Sequence, residues 1–392
     1  MDPYSVYIHI PFCRHRCGYC DFNTYAGIEN CIPEYISALC LEIKKITAAG
    51  GQSLPVHTIF WGGGTPSLIP IPLIRQVWEA LDQGFQLLPE LEVTLEANPG
   101  TVSPEYLSGL RQVGFNRISF GMQSARPDEL RLLERQHQVS DVIDAVKWAR
   151  QAGFENLSLD LIYGLPFQTL EDWQPSLETA LHLSPDHLSL YALTIEEGTP
   201  MFRWRKHGLI AEPDGDTAAD MYEWSSDRLE QAGFTQYEIS NWARTGRNGA
   251  LLTCRHNLQY WRDLPYFGLG AGAHGYLDGL RIANLHRVGP YIQACREQAA
   301  SYPRGPAVAE TWLVDQTTEM QETMMVGLRL IEEGVALKRF VARFGREVTQ
   351  VFGKEIRELI QKGLLEIDTE RVRLTRRGRL LGNQVFMEFV GG

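Results

Sequence analysis

The 392-residue sequence has no stretch of about 18 consecutive apolar residues, which excludes a membrane-spanning helix. Its first residues, Met1-Asp2-Pro3-Tyr4-Ser5-Val6-Tyr7, carry no Lys or Arg, and the apolar run is broken at His9 and Pro11, so no secretory signal is read there. Positive charge is scarce: 37 Lys and Arg stand against 48 Asp and Glu, and the net charge of -11 argues against a nucleic acid as main partner. The seven cysteines are odd in number and irregularly spaced, so there is no disulfide framework. They fit a reducing compartment such as the bacterial cytoplasm. Solenoid repeats and low-complexity segments are also missing. What remains, 44% apolar and 22% charged residues, is an ordinary globular composition in a chain long enough for roughly two to three domains.

The most informative stretch is Pro11-Phe12-Cys13-Arg14-His15-Arg16-Cys17-Gly18-Tyr19-Cys20-Asp21-Phe22. Its CX3CX2C spacing gathers three thiols, one fewer than a closed structural zinc site requires. A cubane iron-sulfur cluster held by three cysteines keeps one iron open to a non-protein ligand. A zinc ion completed by His9 or His15 is the competing reading. The position of the loop, behind a strand that opens a βα series, favours a cofactor pocket.

That strand is Tyr4-Ser5-Val6-Tyr7-Ile8-His9-Ile10, alternating and rich in β-branched and aromatic residues. Helical spacing follows over 33–45, 72–83, 103–113, 140–152 and 169–182. Strand patterns fall at 56–61, 91–97, 116–120, 156–162 and 187–193. Strands alternating with helices define an α/β fold with a parallel sheet, in a full or partial barrel whose site lies at the carboxyl ends of the strands. An open doubly wound sheet is the structural alternative. A helix is expected over 217–232, whereas the Gly- and aromatic-rich region to about 285 has no clear pattern. From 306 the texture changes to helices at 317–333, 337–344 and 346–362 and two short strands, a winged-helix-like arrangement. The expected division is 1–235 for the core, 236–305 for a connecting region and 306–392 for the carboxyl-terminal domain.

Polar residues recur at the strand ends. Trp61-Gly62-Gly63-Gly64-Thr65-Pro66-Ser67 follows the second strand, where glycines let a ligand approach the backbone. Glu96, Gln123, Arg135 and Asp160 follow at or after successive strands. Singly each would be a cap or a solvated charge; together they are able to converge on one ligand. The basic cluster Arg371, Arg373, Arg376, Arg377 and Arg379 reads as a solvated hairpin face, with an acidic partner or a membrane surface as the sharper alternative.

With these motifs the chain resembles the radical SAM superfamily, and Tyr7-Ile8-His9-Ile10-Pro11-Phe12-Cys13 resembles its oxygen-independent coproporphyrinogen III oxidase family over almost the whole chain. The resemblance implies a partial (β/α)6-type radical SAM barrel with a small winged-helix-like domain. It implies a 4Fe-4S cluster on Cys13, Cys17 and Cys20, with S-adenosylmethionine on the open iron. Tyr7, Gly63, Gly64, Thr65, Glu96, Gln123, Arg135, Asp160 and Ala192 are the implied S-adenosylmethionine contacts, and Gly268-Leu269-Gly270-Ala271-Gly272-Ala273-His274 is a candidate for one more.

Two departures from the oxidase matter. That family carries a further cysteine two residues after the third, where this chain has Phe22, and an amino-terminal extension that the sequence lacks. Both absences are shared with the HemW-type heme chaperones of the same family. Cys254-Arg255-His256-Asn257-Leu258-Gln259-Tyr260-Trp261 resembles their HNXXYW signature, which implies heme with His256 as its ligand. The remaining thiols, Cys31, Cys40, Cys254 and Cys295, are read as buried and structural. Expected partners are heme, a heme-acceptor protein and an electron donor of the flavodoxin or ferredoxin kind, with peripheral membrane contact and a homodimer left open. No catalytic residue is assigned, and the oxidase activity, a radical decarboxylation, stands second.

Overall fold

A computed structural model describes residues 2–51 and 54–390. The chain groups into two compact units, Met1–Met221 with Pro265–Trp312, and Tyr222–Leu264 with Leu313–Gly392. Where the sequence suggests three consecutive segments, the contacts share the middle one out: its first part joins the carboxyl-terminal residues and its second part joins the barrel.

The first unit is built on six strands in strictly increasing order: β1 (Tyr4–Ile10), β2 (Pro55–Gly63), β3 (Gln86–Ala97), β4 (Arg117–Gln123), β5 (Asn156–Tyr163) and β6 (His187–Ala192). All five pairings are parallel. This is the partial (β/α)6 barrel. Its strands are covered on both faces, so β1 is buried at every position but Tyr7 and reads as nearly continuous apolar sequence. The sheet continues beyond β1 through β7 (Tyr266–Leu269), which is parallel to it, and then β8 (His274–Leu277), β9 (Leu280–Asn284) and β10 (Val308–Leu313). The pairings of β7 with β8 and of β8 with β9 are antiparallel.

The connecting helices are α1 (Ile32–Gly50), α2 (Ile71–Gly84), α3 (Pro104–Val113), α4 (Val139–Gln151) and α5 (Leu170–His182). Helix α1 begins with Pro33 in its first turn and stops at Gly51, whose φ of 62° suits the left-handed cap. Its buried stripe of Tyr35, Ile36, Leu39, Ile43 and Ile46 faces the core. Helix α5 opens with a reciprocal capping box between Thr169 and Asp172. Each such cap fixes where the preceding loop leaves the strand, and those loops carry the site.

The second unit packs Met320, Met324, Leu328, Phe340, Phe344, Phe352, Ile356 and Phe389 around a three-stranded antiparallel sheet. It also holds a hairpin of Thr235–Glu238 with Asn241–Ala243 and the short helix Arg255–Trp261. The basic cluster is largely neutralised: Arg371 pairs with Glu370, Arg373 with Glu332 and Glu366, and Arg376 with Asp227. Among the described residues no helix is long and apolar enough to cross a membrane.

Candidate functional site

The cysteine loop is clasped at both ends. Phe12-Cys13 pairs with Tyr25-Ala26 as a two-residue parallel ribbon, and Tyr25 N donates to Pro11 O at 2.7 Å. The glycine run after β2 then docks on it: Gly64 N donates to Ile10 O at 2.7 Å and Thr65 N to Phe12 O at 2.8 Å. Glycine is required at two of these positions. A Cβ on Gly63, whose φ is +107°, would meet the His9 ring at 2.5 Å; one on Gly64 would lie 2.6 Å from Phe12 O and 3.0 Å from Cys13 Sγ.

Within the loop each thiol lies beside a polar side chain. Thr65 Oγ1 donates to Cys13 Sγ at 3.6 Å, Arg135 Nη1 donates to Cys17 Sγ at 3.7 Å, and Thr24 Oγ1 lies 4.0 Å from Cys20 Sγ. Burial pushes the Cys13 and Cys20 thiols up, so binding a soft metal there displaces protons. Arg135 also donates to Gly121 O at 3.1 Å, and its Nε has no protein partner. Among the described residues no three His, Cys, Asp or Glu side chains converge on a single ion. A cubane asks for something else, since each thiolate takes a different iron. Three sulfurs facing donors around one open space suit that donor set.

The space is a cavity of about 680 Å³, within the usual range for a small-molecule pocket. Of the sequence-derived residues, Cys13, Cys17 and Cys20 line it, and so do Gly63, Gly64, Thr65, Glu96, Gln123, Arg135, Asp160 and Ala192. Tyr7 is not in the lining: its hydroxyl lies 3.0 Å from His9 Nδ1. Because His9 Nε2 lies 2.9 Å from Asn23 O, a carbonyl, Nε2 carries the proton and the Tyr7 hydroxyl donates to Nδ1. Burial lowers the His9 pKa, in keeping with that neutral ring. The Gly268–His274 stretch also lies outside the lining.

Two half-buried carboxylates face the cavity. Glu96 accepts from Gly63 N at 3.3 Å, and its pKa is pushed up to about 8, first by burial and then by the charge of Asp160. Asp160 accepts from Ser119 Oγ at 3.0 and 2.9 Å, and burial raises it too. Without a ligand Glu96 therefore keeps a proton near neutral pH that a cationic ligand would expel. Gln123 and Glu134 hold left-handed backbone, with φ of 65° and 53°. In non-glycine residues this conformation costs of order 1–3 kcal/mol each and clusters at ligand sites.

The lining contains residues not singled out from the sequence, among them Asn98, Glu134 and Glu196. Asn98 directly follows β3 and obeys the strand-end rule that found Glu96. Glu134 has no such signal; it reaches the site through irregular backbone and pairs with His15 at 3.6 Å.

His256 lies in the second unit, on the helix Arg255–Trp261, and is buried. Its Nε2 is 2.8 Å from the Tyr260 hydroxyl, and the two rings meet edge to face. Cys254 and Cys295 are buried as expected for structural thiols, whereas Cys31 and Cys40 are partly exposed because they fall just before and on the outer flank of α1.

Comparison with known proteins follows the same division. The Radical SAM superfamily model matches residues 7–180, and the HemN C-terminal domain model matches residues 314–381. The solved structure of coproporphyrinogen III oxidase (HemN) from Escherichia coli superposes with a TM-score of 0.81 at 23% identity, covering 99% of this chain and 90% of that one. The architecture is thus the radical SAM fold with a HemN-type carboxyl-terminal domain. At the level of sequence, heme chaperone HemW of Bacillus subtilis is 39% identical over 388 residues, 99% of both chains. That of Lactococcus lactis is 36% identical over 390 residues, covering 100% of this chain and 98% of its own length. The chain belongs to the HemW heme chaperone family.

Proposed function

We propose that the protein binds heme and transfers it to an acceptor protein, and that it carries a 4Fe-4S cluster on Cys13, Cys17 and Cys20 with an exchangeable S-adenosylmethionine beside it. The observation that carries this reading is one cavity ringed by three thiols, a half-buried guanidinium and two half-buried carboxylates, in a chain from a family of heme chaperones. Such a cluster supplies an open iron and one-electron chemistry when bound. Glu96 and Asp160 offer acceptors to the ligand's ammonium and ribose hydroxyls, and Arg135 offers a donor to its carboxylate. Phe22, 62% exposed at the cavity, stands where the oxidase resemblance would put a fourth cysteine, which favours carriage over decarboxylation.

Heme iron accepts a neutral imidazole, and His256 is the ligand assigned from the sequence. Its burial against Tyr260 requires that bond to open first. The test is anaerobic: the cluster is reconstituted, S-adenosylmethionine and a reductant are supplied, and hemin titration, transfer to an apo-hemoprotein and coproporphyrinogen turnover are followed together. Stoichiometric hemin uptake with transfer is expected, and efficient protoporphyrinogen formation would overturn the reading. His256→Ala should lose the spectrum of imidazole-ligated iron; unchanged uptake and spectrum would reject that ligand.

Glu96 gives a second, pH-based check. Its folded pKa of about 8 exceeds the ordinary value of 4.5, so between these the folded protein holds a proton that the unfolded chain releases. The stability contributed by neutral Glu96 is full below the lower value and disappears as pH rises through the upper one. The apo-protein should therefore lose melting temperature between about pH 5 and about pH 8, and Glu96→Gln should flatten that slope. Binding S-adenosylmethionine near neutral pH should release a proton, measurable by calorimetry in buffers of different ionisation enthalpy. Proton-neutral binding would show that the ammonium does not meet Glu96.

A further inference from the structure

A carrier that hands heme to another protein needs an iron ligand that the outside can reach, and His256 is buried. The first unit holds a different pair of imidazoles on its surface. His274 opens β8, His286 follows β9, and both are exposed. Their ring centres are 6.5 Å apart, and the exposed ring of Trp312 on β10 lies 6.5 Å from His274. An imidazole nitrogen bonds a transition metal at about 2 Å, so two imidazoles on opposite sides of one ion have centres roughly 6 Å apart. The pair is close to that spacing without a metal.

We propose that His274 and His286 form an exposed imidazole site for a transition-metal centre, which, on the heme-carrier reading above, is the iron of heme at first contact, with Trp312 as an aromatic platform for the macrocycle. A neutral imidazole presents a ring-nitrogen lone pair to a transition metal. Partial burial, then His286 and Arg281, hold His274 below the ordinary histidine range, with Glu310 opposing them.

The backbone under the pair is fixed. The His286 carbonyl accepts from Asn23 Nδ2 at 2.9 Å and from the Tyr25 hydroxyl at 3.2 Å. Asn23 Nδ2 also donates to Ala271 O at 3.0 Å, and Asn284 N donates to Ala273 O at 3.0 Å. The glycine-rich run before His274 makes this packing feasible: a Cβ on Gly268 would fall on the His274 carbonyl, and one on Gly272 on the Asn23 amide. This assigns those glycines a role outside the cavity. Prearranged ligands lose little freedom on binding, which is what a site that must both take and release its cargo requires. Asn23 comes three residues after Cys20, so the loop that carries the thiols also holds the surface pair.

The test uses the full-length, cluster-reconstituted protein and a His274→Ala/His286→Ala double variant, with hemin uptake followed by stopped-flow at the Soret band and zinc binding by calorimetry. Uptake slowed at least about tenfold, together with loss of a zinc site, is the expected result and supports the pair as a metal-centre ligand. Unchanged hemin uptake and unchanged zinc binding in the double variant would overturn the proposal while leaving the carrier reading intact. If wild type takes up no hemin but loses a zinc site only in the double variant, the pair stands as a site for a bare ion and the carrier reading falls instead. Circular dichroism of the variant controls for folding.

Discussion

Anaerobic reconstitution of a Cys17→Ala variant is expected to yield protein without the broad visible absorption of an iron-sulfur cluster, with bound iron and sulfide reduced at least about tenfold. The loop offers three sulfurs, which lie beside Thr65, Arg135 and Thr24. No other thiol lines the cavity among the described residues, so no substitute ligand is at hand. Losing Cys17 also removes the sulfur to which the half-buried Arg135 donates, leaving a guanidinium whose Nε already has no protein partner. A Cys254→Ala variant is the control, because that thiol is buried in the second unit and should leave iron content at the wild-type level. Full retention of iron and sulfide in Cys17→Ala would refute ligation by these three cysteines.

Gly64→Ala should strongly damage the junction between the glycine run and the cysteine loop. The added methyl would lie 2.6 Å from Phe12 O and 2.9 Å from Ile10 O, main-chain atoms that cannot rotate aside. Relief requires the glycine run to lift off the cysteine loop, which breaks the bonds from Gly64 N to Ile10 O and from Thr65 N to Phe12 O. A loss of about 1–3 kcal/mol in urea unfolding is expected from such overpacking, accompanied by weakened S-adenosylmethionine binding. Gly215→Ala, with nothing within 4 Å of the new methyl and no positive φ, should leave the unfolding midpoint in place. Equal midpoints for both variants would mean that the docking of the two loops contributes nothing.

The contrast between what the sequence disclosed and what it concealed follows from range. The barrel strands were legible because each is bounded by its own helix, and Glu96 and Gln123 were legible because they sit where those strands end, whereas Asp160 lies within β5. Residues 236–285 gave no pattern for the opposite reason. Their strands span three to five residues, and β7 finds its partner in β1, with Tyr266 opposite Ser5. No local period announces such a pairing. The helix Pro200–Lys206 was likewise too short to show a face. The arginines of the wing read as a solvated hairpin face, but their ion pairs were hidden because Asp227 and Glu332 lie far away in sequence.

The ribbon of Phe12-Cys13 with Tyr25-Ala26 has a consequence for how iron is acquired. In a small zinc domain the metal itself closes the chain, so affinity is consumed by ordering the polypeptide and chelation unfolds it. Here backbone pairing closes the loop between residues 12 and 26 without metal, and the entropy of closure is already met by the folded barrel. Iron then meets a prepared ring, and stripping it should leave the secondary structure standing.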